Sequence, residues 1–420
     1  MVVVSTTSIL LLAGMCGSVQ AATADKAELL STRDQIHSIR HGEELIFYDD
    51  FDNLDLRTWS HEVTASGGGN WEFQWYGNNR NNSYVEDGKL HLKASLTEEF
   101  LGRRPTENFL KLKPGGAGFP DGCTDPTNWG CERTTNGENI VNPIQSAKVS
   151  TKDSFSFKYG RVEVSAKMPQ GDWLWPAIWM MPRYSTYGSW PASGEIDIVE
   201  SRGHIGKTRI NQSILLGRES ITSTLHWGPK SHENMYHLTQ GIIANKTEDL
   251  SKSYHTYGLY WNSTHLMTYF DDPKNVVLTV DLTKDAWSKG NFEKRFHNTA
   301  NPWRSGSAAA PFDQEFFLIL NLACGGTGGF FDDKDFPNKP WKNKSPTATF
   351  DFWKAKEAWL PTWKRPQLSI DWVKVWAVPE TTYTSRAPMP RQPVGLSRSR
   401  KSADDNAGAR GWGIENLFLY

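Results

Sequence analysis

The 420 residues carry 46 Lys and Arg against 47 Asp and Glu, a net charge of −1, so no excess charge selects a nucleic acid or an anionic membrane as partner. A hydrophobic fraction of 38% excludes a protein of many membrane spans and allows a soluble core. The aromatics stand out: 19 Trp, 13 Tyr and 20 Phe must pack in a core or line a surface, and the apolar faces of sugars stack on such rings.

The chain opens with a short apolar run at 9–17, followed by small residues up to Val19-Gln20-Ala21. This reads as a signal peptide over 1–21, and it predicts a secreted, extracellular protein. The run is short for a membrane anchor. A polar segment, 22–42, follows.

From 43 to 378 the texture is uniform. Strand-like runs of period two, such as Lys89–Ala94, Gly160–Ala166, Tyr257–Trp261 and Ser369–Trp376, alternate with clusters of Gly, Asn, Asp and Pro. Asp87-Gly88 between two such runs predicts a tight hairpin. Helical periodicity is scarce, and nothing splits the region. The expected fold is all-β: one antiparallel β-sandwich of jelly-roll type. The Pro-, Ser- and Arg-rich stretch from 379 to 420 is expected to be a disordered tail.

Cys123 and Cys131 sit eight apart in a Gly-, Asp- and Asn-rich stretch and are expected to form a loop-closing disulfide outside the cell. Cys324 is expected to be buried and unpaired. Glycosylation triplets begin at Asn81, Asn211, Asn245 and Asn262; a fifth, at Asn343, is disfavoured by Pro346.

The most informative stretch is Ser193-Gly194-Glu195-Ile196-Asp197-Ile198-Val199-Glu200. Acids interleaved with apolar residues form a strand pattern, in which Glu195 and Asp197 share a face. Glu200 falls on the other face unless a β-bulge near Ile198-Val199 supplies one extra residue. With that bulge, three acids line one strip and raise one another's pKa. A retaining glycosidase needs such a set: one carboxylate to attack the anomeric carbon, and another, kept protonated, to serve the leaving oxygen. The spacing alone also fits an acidic strand edge or a calcium site. Upstream, Trp173, Trp175 and Trp179 share a parity, which would put them on one strand face, as core or as sugar platforms.

Together with Gly171–Trp179, this acidic stretch resembles glycoside hydrolase family sixteen, and more narrowly the invertebrate laminarinases and β-1,3-glucan-recognition proteins. Ile144–Val149, Phe155–Glu163, Thr224–Pro229 and Gly325–Gly329 resemble the same group, so the likeness covers 43–378. It implies a jelly roll with an open substrate groove on its concave face. It implies Glu195 as nucleophile, Asp197 as assisting acid and Glu200 as acid/base. Trp175, Trp179 and Trp190 match groove-lining tryptophans; Asn78, Asn79 and Arg80 match polar contacts toward the non-reducing side; His226 matches a histidine near the cleavage point. Asp371, with the Gly88 carbonyl, matches the family's structural calcium site, although the chemistry needs no metal. The Gly325–Gly329 run lacks the Lys-Ser/Thr of a phosphate loop and is expected to be a flexible groove-rim loop.

The implied activity is endo-acting, retaining cleavage of β-1,3-glucan by a secreted monomer, with no nucleic-acid or membrane partner. In the family's non-catalytic recognition proteins one or both glutamates are typically replaced. Both are present here. The alternative is a glucan-binding protein of innate immunity that does not cut. No extra N-terminal binding domain is expected, since only about twenty residues lie between the expected cleavage site and the fold.

Overall fold

The computed structural model describes residues 43–386 apart from 108, 113–121, 206–207, 211–213, 245–248 and 296–298. The signal peptide, the 22–42 segment, Asn211, Asn245 and the tail beyond 386 lie outside the described residues.

The period-two runs form strands, and their apolar sides meet between two sheets. An eight-stranded antiparallel sheet runs in the order Asp272–Asp281, His265–Phe270, His255–Trp261, Gly160–Lys167, Gln367–Trp376, Lys89–Lys93 and Ser83–Glu86, with Leu45–Asp49 also paired to Gln367–Trp376. A nine-stranded sheet runs Gln240–Ala244, Ser220–His226, Glu195–Ser201, Leu174–Pro182, Phe316–Cys324, Lys148–Ser150 and Ser60–His61. Phe155–Lys158 extends the second sheet beside Phe316–Cys324. The expected all-β sandwich is present, and the longest described helix, Ala348–Lys354, has seven residues.

The core lies where the sheets face each other. Leu90, Leu92, Val162, Val164, Val373 and Val375 from one sheet and Ile178, Met180, Ile196, Leu320 and Leu322 from the other are all buried. Removing such side chains from water is the main drive for folding, at about 25 cal/mol per Å² of apolar surface. A smaller cluster of Val63, Ala65, Trp75, Leu110, Leu112 and Val141 lies apart, with Cys123 packed against it.

The Asp87-Gly88 hairpin forms between Ser83–Glu86 and Lys89–Lys93. Both turn residues take positive φ, 52° and 65°, the two-residue geometry that matches strand twist and favours Gly. Cys123 and Cys131 are bonded, and Cys324 is a buried free thiol. Among the described residues no helix is long and apolar enough to cross a membrane.

Two expectations need correction. Order continues past 378: Thr382–Ser385 is a strand paired with Phe155–Lys158. Tyr383 packs on Phe155 at 6.2 Å between ring centroids, contacts that the Pro- and Ser-rich composition concealed. The Gly325–Gly329 loop is also pinned rather than loose. Gly325 N–H donates to Trp173 O, and the N–H groups of Thr327 and Gly328 both donate to Asn70 O.

Candidate active site

The acidic strand Glu195–Ser201 lies inside the nine-stranded sheet, between Ser220–His226 and Leu174–Pro182. On one side Asp197 pairs with Thr224 and Glu200 with Thr222, so three steps on the acidic strand match two on its neighbour. On the other side Val199 pairs with Ile178 and Asp197 with Trp179, which leaves Ile198 as the extra residue. This is the β-bulge expected near Ile198-Val199. It keeps Ile196, Ile198 and Val199 buried while returning Glu200 to the face of Glu195 and Asp197.

Each acid meets its own partner on that face. Trp190 Nε1–H donates to Glu195 Oε2 at 2.6 Å, and Trp175 Nε1–H donates to Glu200 Oε1 at 2.8 Å. His226 Nε2 lies 3.3 Å from Asp197 Oδ2, and suitable ligand atoms of Glu195, Asp197 and His226 all fall within 4.8 Å of one another. Such crowding has an electrostatic consequence. Burial, then the charges of Glu195 and Glu200, push Asp197 well above the usual carboxylate range, with His226 pulling the other way. Burial also raises Glu200, with Glu195 adding to the rise; His226, the Trp175 N–H and Arg202 oppose it. For His226, burial favours the neutral ring, but the charges of Glu195, Asp197 and Glu200 outweigh it and lift the pKa to about 9. Burial and crowding therefore favour the neutral forms of Asp197 and Glu200, as a group that must give up a proton requires.

The three tryptophans expected in the groove are placed differently. Trp190 is 41% exposed. Trp179 is partly exposed, and its N–H donates to Asn321 Oδ1 at 2.6 Å. Trp175 is nearly buried: Phe330 covers one ring face at 4.0 Å and 3° between planes. Its job in this geometry is to hold Glu200 rather than to offer an open platform. Trp173 does not share the face that its parity suggested. It precedes the strand in a left-handed conformation, φ 68°, and packs edge-on against Phe331, Phe336 and Trp341.

Arg80, Asn78 and Asn79 stand at the far edge of the same sheet. Arg80 bonds to Asn78 Oδ1, and its other contact is His61 Nε2 at 3.3 Å, on the edge strand Ser60–His61. Asn79 Oδ1 accepts from the Asn81 N–H, so it also braces its own turn. Of the glycosylation triplets, Asn81 is exposed, whereas Asn262 Oδ1 accepts from the N–H groups of Thr264 and His265. At the implied calcium position, Asp371 Oδ1 lies 3.5 Å from Lys89 Nζ. A hard dication takes six to eight oxygen ligands, and a carboxylate facing an ammonium does not fit one.

Several residues at the site were not read from the sequence. Asn234 Nδ2 holds His226 Nδ1 at 2.8 Å, and Tyr236 stacks on that imidazole at 5.4 Å. Lys148 Nζ sits 4.9 Å over the Trp179 ring and pairs with Glu62 Oε2 at 2.9 Å. Arg202 lies 3.8 Å over Phe330 and donates to its carbonyl at 2.7 Å, backing the ring that backs Trp175. Asn321 had a signal: it is the one amide in Phe316–Cys324, a strand otherwise apolar throughout.

Comparison with known proteins agrees with this geometry. The sequence pattern described as Glycosyl hydrolases family 16 matches residues 72–294. A Beta-1,3-glucan-binding protein of Penaeus monodon is 44% identical over 349 residues, covering 80% of this chain and 91% of that protein. Glucan endo-1,3-beta-glucosidase A1 of Niallia circulans is 32% identical over 312 residues, 71% of this chain but only 36% of that longer protein. A solved structure from work on endo-acting O-glycanases of the human gut microbiota shares the fold, with a TM-score of 0.50 at 23% identity over 81% of this chain and 92% of that one. With its bulged acidic strand inside an antiparallel sandwich, the chain belongs to glycosyl hydrolase family 16.

Proposed function

We propose that the protein is a secreted, endo-acting β-1,3-glucanase that works with retention of anomeric configuration. The observation that carries this reading is the bulge at Ile198, which sets Glu195, Asp197 and Glu200 on one face with a separate indole N–H on each glutamate. Glu195 attacks the anomeric carbon; the glycosidic C–O bond breaks as Glu200 gives its proton to the leaving oxygen. Water then attacks the glycosyl ester, Glu200 takes the water proton, and Glu195 departs as carboxylate, so the balance is one water consumed per bond cut. Asp197 lies between the two, its neutral form favoured by burial and by their charges, and His226 braces it. Trp179 and Trp190, both partly exposed beside the acids, suit the stacking of pyranose rings, and Arg80, Asn78 and Asn79 suit hydroxyl contacts farther along the chain. Export is supported by the apolar run at 9–17 and by the Cys123–Cys131 bond.

A second reading is a glucan-binding protein that does not cut. The name of the Penaeus monodon relative favours it. The intact pair Glu195 and Glu200 favours the enzyme. The deciding experiment is reducing-sugar release from laminarin by the wild type and by Glu200→Gln. Release by the first alone supports the enzyme; binding without release by either moves the assignment to the second reading.

A further inference from the structure

We infer a second sugar-stacking site, formed by Trp71 and Trp129 on the rim of the nine-stranded sheet, that takes the pyranose faces of a neutral β-glucan polymer. It rests on the reading of the main face as a glucan site and names surface that this reading does not use.

The two rings are unusually open: Trp71 is 48% exposed and Trp129 73%. Both are held in left-handed backbone, with φ of 51° and 60°, as is Asn128 at 50°. That conformation is strained for a non-glycine residue, so the surrounding fold must impose it. It does so around Trp129. The Cys123–Cys131 bond closes the loop, Ala65 N–H donates to Gly130 O at 2.7 Å, and Thr64 Oγ1 donates to Asp125 O at 2.7 Å. A side chain at Gly130 would meet Asp125 O at 2.3 Å, so only glycine lets the loop shut. A loop backbone fixed by this many bonds presents the Trp129 indole to water.

Hydrogen bonds join the two segments that carry the rings. Asn128 Nδ2 donates to Ser66 O at 3.4 Å, next to Gly67, whose carbonyl accepts from the Asn70 and Glu72 N–H groups on either side of Trp71. Asn70 O in turn accepts from Thr327 and Gly328, in the loop that leads to Phe330 against Trp175. The rim is therefore continuous with the acid/base end of the main face. Its residues suit a polyol better than a protein. Ser66, Gly67, Gly68, Gly69 and Asn70 lead into Trp71, and Ser66 O accepts from the residue before Trp129, so a sugar can stack its C–H face while its hydroxyls meet backbone and amide groups.

The test is retention of the full chain on insoluble β-1,3-glucan, in a Glu200→Gln background so that the polymer is not consumed. Trp71→Ala and Trp129→Ala should each weaken retention about tenfold, equivalent to about 1.4 kcal/mol, with the melting temperature held. Trp129→Tyr, which keeps a ring, should recover most of it. Unchanged retention in both alanine variants overturns the site. So does an equal loss of binding to a soluble laminari-trisaccharide, because the rings would then belong to the main face. A parent chain that binds the trisaccharide but not the polymer refutes the rim site alone. One that binds neither refutes the glucan reading from which it starts.

Discussion

Replacing Trp175 with Phe isolates one hydrogen bond at the proposed acid/base. The indole is 8% exposed, lies flat on Phe330 and donates to Glu200 Oε1 at 2.8 Å. Phe keeps a ring against Phe330 and removes the donor. A hydrogen bond to a charged group in such a site is worth roughly 1.5–3 kcal/mol, and one pKa unit is about 1.36 kcal/mol. The donor favours the charged carboxylate, so its loss should move Glu200 upward by about one to two units, on top of the rise that burial already imposes. Glu200 must be protonated to serve the leaving oxygen. The variant should therefore stay active to higher pH, with the basic limb of kcat/KM displaced upward by about one to two units. The assay is hydrolysis of a soluble laminari-oligosaccharide between about pH 4 and pH 9, with melting curves to establish folding. A basic limb that stays in place or moves down while the plateau rate falls would refute the argument, since Trp175 would then act only through packing.

Glu195→Gln should lower kcat by roughly three orders of magnitude or more while glucan affinity stays near wild type, because it removes the nucleophile and little volume; kinetics beside calorimetry checks both. Deleting Ile198 should straighten the acidic strand yet leave Glu200 four positions from Glu195 and still on its face, so reducing-sugar release should persist; loss of release in a folded variant would show that the bulge itself, and not only the shared face, sets the acid's position. The Cys123→Ser/Cys131→Ser pair should lose up to about 2.5 kcal/mol on the loop-entropy relation for a span of eight residues, read from the denaturant midpoint.

The acidic strand was legible because its chemistry is local. Glu195, Asp197 and Glu200 lie within six residues, and the odd spacing to Glu200 meant that one strand face could hold all three only with a bulge, which the pairing shows. The Asp87-Gly88 hairpin was legible for the same reason. Trp173 defeated the parity argument because period two holds only inside a strand, and its left-handed φ places it just before one. Residues that act from a distance gave little signal. Phe330 reaches Trp175 across 155 positions of sequence, and Asn321 reaches Trp179 across 142. Only the pairing order of the strands brings them together, and that order is set by how the two sheets close.

The strand Thr382–Ser385 bears on where this fold can be cut. Within the few residues after Gln367–Trp376 the chain leaves one sheet and joins the other, so Thr382–Ser385 acts as a strap across the sandwich. Phe155–Lys158 has that strap on its outer flank. A fragment ending at 378 would strip it away, leaving a row of backbone donors and acceptors beside Phe155 and Phe157. Such an open edge invites pairing with the same edge of another molecule. Shortened forms should therefore keep the chain through 386, and those that do not should come off a sizing column as aggregates before any loss of catalytic geometry is seen.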